Sequence, residues 1–165
     1  MTCPSPYQIK TLLECPPDHA KVLAEWEMLE WSKENAAFGI HSVEDALQEL
    51  QKISGQVFVA TVQGVPVGTG RIIKDDMAGF EDQGWTPWVA SVYVDGPARG
   101  GGVARLLLNH ILHFAKDTLR LPRIYLYCNS GEKSYLPDFY AKMGFRLVQK
   151  LTYLGSEVSV MVQEF

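Results

Sequence analysis

Apolar residues in this chain recur at two spacings, and each spacing favours one kind of element. The run 7–13 is rich in β-forming residues and predicts a first strand, and the prolines at 16–17 favour the start of a helix. Apolar residues three and four apart continue from Val22 to Leu29, and a second such series begins after Ser42. We therefore expect one strand and two amphipathic helices before the main sheet.

The middle of the chain favours strands. Two β-rich runs, 56–61 and 65–73, flank Gln63-Gly64, a pair that is typical of a hairpin turn. A third run, 88–94, follows a loop that contains glycine and proline. This order predicts an antiparallel meander.

A glycine-rich turn at 100–102 precedes the longest apolar helical pattern, which runs from 103 to 119 and is ended by Pro122. Residues 123–128 favour a buried strand, so this part of the chain is strand, glycine loop, helix and strand. The remaining pattern predicts a short helix at 137–143, which stops at Gly144, and a strand pair at 145–153 and 157–162 that turns at Gly155.

Length and composition limit the function. The chain has 165 residues, of which 47% are apolar and 21% charged, as is typical of one compact globular domain. The chain has fifteen Lys and Arg residues and nineteen Asp and Glu residues, which gives a net charge of -4. Because binding to nucleic acid depends on a broad positive surface, we expect no nucleic-acid partner.

Cysteine count and hydropathy bear on location. Cys3, Cys15 and Cys128 are an odd number without a close pair, so they favour neither a disulfide framework nor a zinc site. The N-terminus lacks the apolar stretch of a signal peptide, and polar residues interrupt the most apolar later run. We therefore predict a cytoplasmic protein with no membrane partner.

His110 and His113 lie three apart on a predicted helix without a third ligand nearby, so we expect no metal.

The most informative stretch follows the predicted strand at 88–94. Glycines at 100–102 let a ligand approach the backbone closely, and the next helix offers unpaired N–H groups and the positive end of its dipole, which is typical of anion binding. A purely structural turn is the alternative. Two other phosphate loops are excluded: a dinucleotide fingerprint needs glycine where Arg105 stands, and a Walker A loop needs Lys-Ser or Lys-Thr where Val103-Ala104 stands.

Two motifs in order resemble the GNAT superfamily of N-acetyltransferases. Arg99-Gly100-Gly101-Gly102-Val103-Ala104 is similar to its acyl-CoA loop, Gln/Arg-x-x-Gly-x-Gly/Ala, and Asp138–Phe145 is similar to its aromatic-tyrosine helix with a glycine-aromatic exit. The element order also resembles the family's. The resemblance implies a single α/β domain of the α+β type at 1–165, with a central mixed sheet of about six or seven strands and about four flanking helices.

The resemblance also implies a cofactor and a site. Acetyl-CoA would donate its acetyl group to a primary amine of a small molecule or peptide, by direct attack through a tetrahedral intermediate. Tyr140 holds the family's general-acid position and would protonate the departing thiolate, since an unperturbed phenol is a usable acid for that step; a tyrosine that only packs is the alternative. The implied cofactor-binding residues are Val92, Val94, Arg99, Gly100, Gly101, Gly102, Val103, Ala104, Arg105 and Asn129.

The general base and the acceptor stay open. The strand at 88–94 contains no glutamate, so either a carboxylate elsewhere acts through water or the amine arrives neutral. Glu81, Asp82 and Glu30 are candidates, and none is assigned. A noncatalytic acyl-CoA-binding or regulatory module and a protein-interaction domain are the alternatives to an enzyme, and Tyr140 favours the enzyme. The oligomeric state is also open, with a homodimer through the last strands as one expectation.

Overall fold

The structure, a computed structural model, describes residues 4–165, so Cys3 lies outside the described residues. Within this range the chain has seven strands and five α-helices. The strands are β1 Tyr7–Thr11, β2 Val57–Val62, β3 Val65–Ile73, β4 Trp88–Val94, β5 Arg123–Asn129, β6 Arg146–Tyr153 and β7 Ser156–Glu164. The helices are α1 Pro17–Glu30, α2 Ser32–Ala36, α3 Val43–Lys52, α4 Val103–His113 and α5 Leu136–Lys142.

The strands form a mixed sheet in the order β1-β2-β3-β4-β5-β7-β6. The pairing is antiparallel for β1 with β2, β2 with β3, β5 with β7 and β6 with β7, and parallel for β4 with β5. The predicted α/β class, with about six or seven strands in a mixed sheet, is confirmed.

The chain divides into two compact units that share β4. The first unit extends to Ile72 and resumes for Ser91–Leu112, and the second comprises Ile73–Ala90 and His113–Phe165. The first part of β4 therefore belongs to the second unit, and its last part belongs to the first. The assignment of 1–165 to a single domain stays a prediction.

In the first unit, α1 and α3 share an apolar core with β2 and with Tyr93 of β4. Pro17 opens α1, because the fixed φ of proline suits the first helical position. Ser42 caps α3, since its side chain accepts a hydrogen bond from the Asp45 N–H at 3.0 Å. Both predicted helices are confirmed.

The hairpin between β2 and β3 turns at Gln63 and Gly64, whose φ values are +50° and +78°. Two consecutive positive φ values are the requirement of a type I′ turn, whose twist matches that of paired strands. The predicted hairpin is confirmed.

The second unit is built around β7, which lies between β5 and β6. Tyr125 and Tyr127 of β5 stand opposite Val162 and Val160 of β7 and face the apolar core that also holds Trp88. β6 is the end strand of the sheet and carries a bulge between Leu147 and Gln149. The homodimer predicted through the last strands stays a prediction.

Candidate active site

The site predicted from sequence begins on β4. This strand pairs in parallel with β5 at its start, where Trp88 stands opposite Tyr125. Ser91 then adopts a φ of +53°, a left-handed conformation that L residues rarely take and that interrupts the extended backbone. Val92 and Val94 follow this interruption and are half-buried.

The glycine loop follows β4 and a short 3-10 turn. Gly100 and Gly102 have φ values of +84° and +82°, a region that favours glycine, and a side chain at either position would meet no atom within 4 Å. The outer face of this loop is therefore open, and its backbone is free to contact a ligand.

Helix α4 begins immediately after the loop. Its first intrahelical hydrogen bond runs from the Leu106 N–H to the Gly102 carbonyl at 3.1 Å. The N–H groups of Val103, Ala104 and Arg105 come before that bond, so the helix provides them with no acceptor. Together with the helix dipole, these donors make the open loop suited to an anionic group.

Arg99 is held at the entrance of the loop. Its Nε donates a hydrogen bond to the Val94 carbonyl at 2.9 Å, and its guanidinium lies 5.5 Å from the centroid of the Tyr93 ring. The Tyr93 ring in turn packs against Trp26 and Trp31, with centroids 5.1 Å and 6.1 Å away. Because Nε alone binds Val94, the two terminal nitrogens of Arg99 keep their hydrogen-bonding capacity.

Tyr140 lies on α5, in the second unit. Its side chain is buried, and its ring is perpendicular to those of Phe139 and Phe145 at centroid distances of 5.1 Å and 6.1 Å. Burial raises the pKa of Tyr140 well above its ordinary value, and Cys128 and Tyr135 raise it further. A phenol is already protonated at neutral pH without this shift, so burial adds no donor capacity; it makes the Tyr140 hydroxyl a weaker acid than an unperturbed phenol.

Cys128 and Asn129 end β5. Burial raises the pKa of the Cys128 thiol to about 12. Asn129 is exposed, and its Oδ1 accepts from the Gly131 N–H at 2.8 Å while its carbonyl accepts from the Ser134 hydroxyl at 2.7 Å. Asn129 thus shapes the turn before α5, and its predicted role with the cofactor stays a prediction.

Sequence reasoning missed a buried carboxylate. Glu27 lies on α1, 4% exposed, and its Oε1 forms an ion pair with Arg71 Nη2 of β3 at 3.0 Å. Asn35 Nδ2 donates to Glu27 Oε2 at 3.3 Å. A glutamate directly after Trp26 on an apolar helix face was the available signal. The candidate bases Glu30, Glu81 and Asp82 are all exposed.

Two negative findings concern metals and membranes. Residues 4–165 contain no cluster of three or more His, Cys, Asp or Glu side chains arranged to hold a metal ion. His110 instead packs its ring against Phe58, with centroids 5.5 Å apart. In the same part of the chain, no helix is both long and apolar enough to cross a membrane.

The sequence model of the Acetyltransferase (GNAT) family matches residues 21–145 of this chain. That match covers more than half of the 165 residues and includes both the glycine loop and Tyr140. The chain therefore belongs to the GNAT family of acetyltransferases. A comparison with curated proteins found no matching sequence.

Solved structures show the same fold. Ard1 from Thermoplasma volcanium is 16% identical with a TM-score of 0.72, covering 97% of this chain and 98% of that one. The ribosomal-protein-alanine N-acetyltransferase from Brucella melitensis is 20% identical with a TM-score of 0.72, covering 96% and 99%. YncA from Salmonella typhimurium, solved with its cofactor acetyl-CoA, is 15% identical with a TM-score of 0.70, covering 97% of this chain and 94% of that one.

Proposed function

We propose that this chain is an acetyl-CoA-dependent N-acetyltransferase that acts on a primary amine of a small molecule or a peptide, in the cytoplasm. The observation that carries the proposal is the open glycine loop at the start of α4, with Arg99 fixed at its entrance. Acetyl-CoA supplies the transferable acetyl group as a thioester when it is bound.

The diphosphate of acetyl-CoA is assigned to the loop. The N–H groups of Val103, Ala104 and Arg105 have no helical acceptor, and two phosphates need several such donors. The terminal nitrogens of Arg99 and the exposed side chain of Arg105 add positive charge. Gly100 and Gly102 keep the approach to the backbone free.

The pantetheine arm is assigned to the backbone of Val92 and Val94. The positive φ of Ser91 removes this part of β4 from regular strand geometry, so its peptide groups are suited to bind a ligand instead of another strand. The Val94 carbonyl accepts a hydrogen bond from Arg99 and keeps a second lone pair.

Tyr140 is proposed as the general acid. The support for this role is its place in the aromatic-tyrosine helix, which lies within the family match, while burial raises the pKa of Tyr140 and makes it a weaker acid than an unperturbed phenol. The phenol proton would go to the coenzyme A thiolate as the bond between sulfur and the acetyl carbon breaks.

No general base is assigned. Glu27 is buried and ion-paired with Arg71, so it is a poor candidate for deprotonating an incoming amine. We therefore keep both routes open: a carboxylate that acts through water, or an amine that binds in its neutral form.

Two similar structures support transfer to an amine. One is named a ribosomal-protein-alanine N-acetyltransferase, and another is the NatC complex bound to Gag peptide and CoA, which is 16% identical with a TM-score of 0.71. These names describe those proteins. For this chain, they are a reason to test peptides with a free N-terminus as acceptors, together with small amines.

The test incubates the purified chain with acetyl-CoA and a panel of polyamines, amino sugars, amino acids and peptides. Chromatography follows the release of coenzyme A, and mass spectrometry identifies the acetylated acceptor. We expect enzyme-dependent acetylation of at least one amine. Acetyl-CoA binding without turnover across the panel would support the noncatalytic module instead, and no binding at all would support a protein-interaction domain.

A further inference from the structure

The three consecutive glycines of the loop are glycine for two different reasons. Gly100 and Gly102 have positive φ values, which favour glycine at those positions, whereas Gly101 does not. A Cβ built on Gly101 would lie 2.7 Å from the Tyr7 Oη and 3.5 Å from the Ala98 carbonyl oxygen. Gly101 therefore lacks a side chain because the Tyr7 phenol occupies that space.

Tyr7 is the first residue of β1, where it pairs with Val62 of β2. Tyr7 is half-buried, and its hydroxyl reaches the loop at Gly101. A Cβ on Gly101 would be 3.8 Å from the Tyr7 Cζ, an ordinary contact, so only the hydroxyl oxygen is in conflict with a side chain there. The structure thus brings one specific atom of β1 against the loop.

That hydroxyl has no hydrogen-bond partner within residues 4–165; the hydrogen bond of Tyr7 is made by its backbone N–H to the Ser5 Oγ at 3.2 Å. A phenol hydroxyl is both donor and acceptor. The hydroxyl lies beside Gly101, two residues before the first N–H donor that α4 leaves without an acceptor. A phosphate oxygen is an acceptor that a phenol O–H binds with charge assistance.

We propose that Tyr7 is a further cofactor-binding residue, whose hydroxyl donates a hydrogen bond to the diphosphate of acetyl-CoA on the glycine loop. The inference rests on the proposed function, since it needs acetyl-CoA to bind there. It adds a side-chain donor from the first strand to a group of donors that otherwise comes from the loop and α4.

The first experiment is isothermal titration of wild type, Tyr7→Phe and a control, Gln8→Ala, with acetyl-CoA and with 3′-dephospho-acetyl-CoA. Gln8 is exposed and is the next residue of the same strand, so it reports on any disturbance of β1. Loss of a hydrogen bond to a charged group predicts about tenfold weaker binding for Tyr7→Phe. The same factor is expected for both ligands, with Gln8→Ala unchanged.

Each other result overturns the inference in an identifiable way. If Tyr7→Phe binds acetyl-CoA as tightly as wild type, the hydroxyl does not bind the cofactor, and the proposed function is unaffected. A loss that vanishes with the dephospho ligand assigns the hydroxyl to the 3′-phosphate instead. An equal loss in Gln8→Ala attributes the effect to β1. If wild type itself fails to bind, the proposed function and this inference fall together.

A second experiment tests the geometry through Gly101→Ala. Its methyl group displaces the Tyr7 hydroxyl, so this variant should lose about as much affinity as Tyr7→Phe. In the double variant Gly101→Ala/Tyr7→Phe, the conflict is absent and the bond is already gone, so the loss should equal that of either single change. Losses that add instead would show that the two residues act independently and would contradict the inference.

Discussion

The guanidinium of Arg99 lies over the ring of Tyr93, 5.5 Å from its centroid. The interaction joins the last part of β4 to the residue that precedes the glycine loop. Because Tyr93 is itself buried against Trp26 and Trp31, the arginine lies against the apolar core of the first unit. A cation held in this way needs little reordering when it binds a phosphate.

Arg99→Lys should weaken acetyl-CoA binding about tenfold, although charge is conserved. A lysine has one nitrogen, which cannot bind the Val94 carbonyl and a phosphate with the geometry of a guanidinium. Titration with acetyl-CoA measures the effect, and Arg123→Lys, an exposed change at the start of β5, is the control. Equal affinity in Arg99→Lys and wild type would show that the arginine acts only by its charge or not at all.

Tyr140→Phe should lower turnover by roughly 10²- to 10⁴-fold, the usual contribution of general acid–base catalysis. The change removes one hydroxyl from a buried ring and leaves its contacts with Phe139 and Phe145 in place. Acetyl-CoA affinity should stay at the wild-type level, and titration provides that control. Near wild-type turnover at saturating substrate, with chemistry rate-limiting, would make Tyr140 a packing residue only.

Glu27→Gln should reduce the free energy of unfolding by about 3–5 kcal/mol, because it leaves the Arg71 cation without its buried partner. Urea denaturation measures the difference. The matched control is Glu49→Gln, which breaks the exposed ion pair with Lys52 and should cost at most about 1 kcal/mol. Similar losses of unfolding free energy in the two variants would contradict the conclusion that Glu27 and Arg71 form a buried ion pair.

The free energy of unfolding of the wild type should fall between pH 8 and pH 10 because of Cys128. Its thiol ionises near pH 8.5 in the unfolded chain but only at a pKa of about 12 when folded. Below the pKa of the unfolded chain, the thiol is protonated in both states and the protein keeps its full stability. Above that pKa only the unfolded state releases the proton, so the unfolded state is increasingly favoured as pH rises. The loss approaches about 1.4 kcal/mol per pH unit. Urea denaturation across this range should show a smaller decline for Cys128→Ala, and parallel declines would contradict the burial of the thiol.

Local signals were sufficient for the elements that form the glycine loop. Sequence reasoning placed β4 at 88–94 and the start of α4 at Val103, as found, because a β-rich run, three glycines and an apolar helical series each carry their own signal. The ends of individual strands were predicted less exactly. The first strand ends at Thr11 and not at 13, because Thr11 donates its N–H to Glu14 Oε2 at 2.9 Å and starts a 3-10 turn.

Other features depend on contacts between residues far apart in the chain. Helix α2 has five residues and no apolar series, and Asn35 secures it by donating to the Trp31 carbonyl at 3.0 Å. The approach of Tyr7 to Gly101 likewise has no signal in either segment alone. Such pairings are set by sheet order and helix packing, which periodicity within a short window does not encode.

Titration of wild type and Gly102→Val with acetyl-CoA tests the central claim most directly. Gly102 has a φ of +82° on the open face of the loop, so a valine there strains the backbone and projects a branched side chain into the space assigned to the diphosphate. We predict saturable binding by wild type and a loss of at least about a hundredfold in Gly102→Val, with circular dichroism confirming that the variant is folded. Unchanged affinity in the folded variant, or no binding by wild type, would contradict the assignment of acetyl-CoA to this loop.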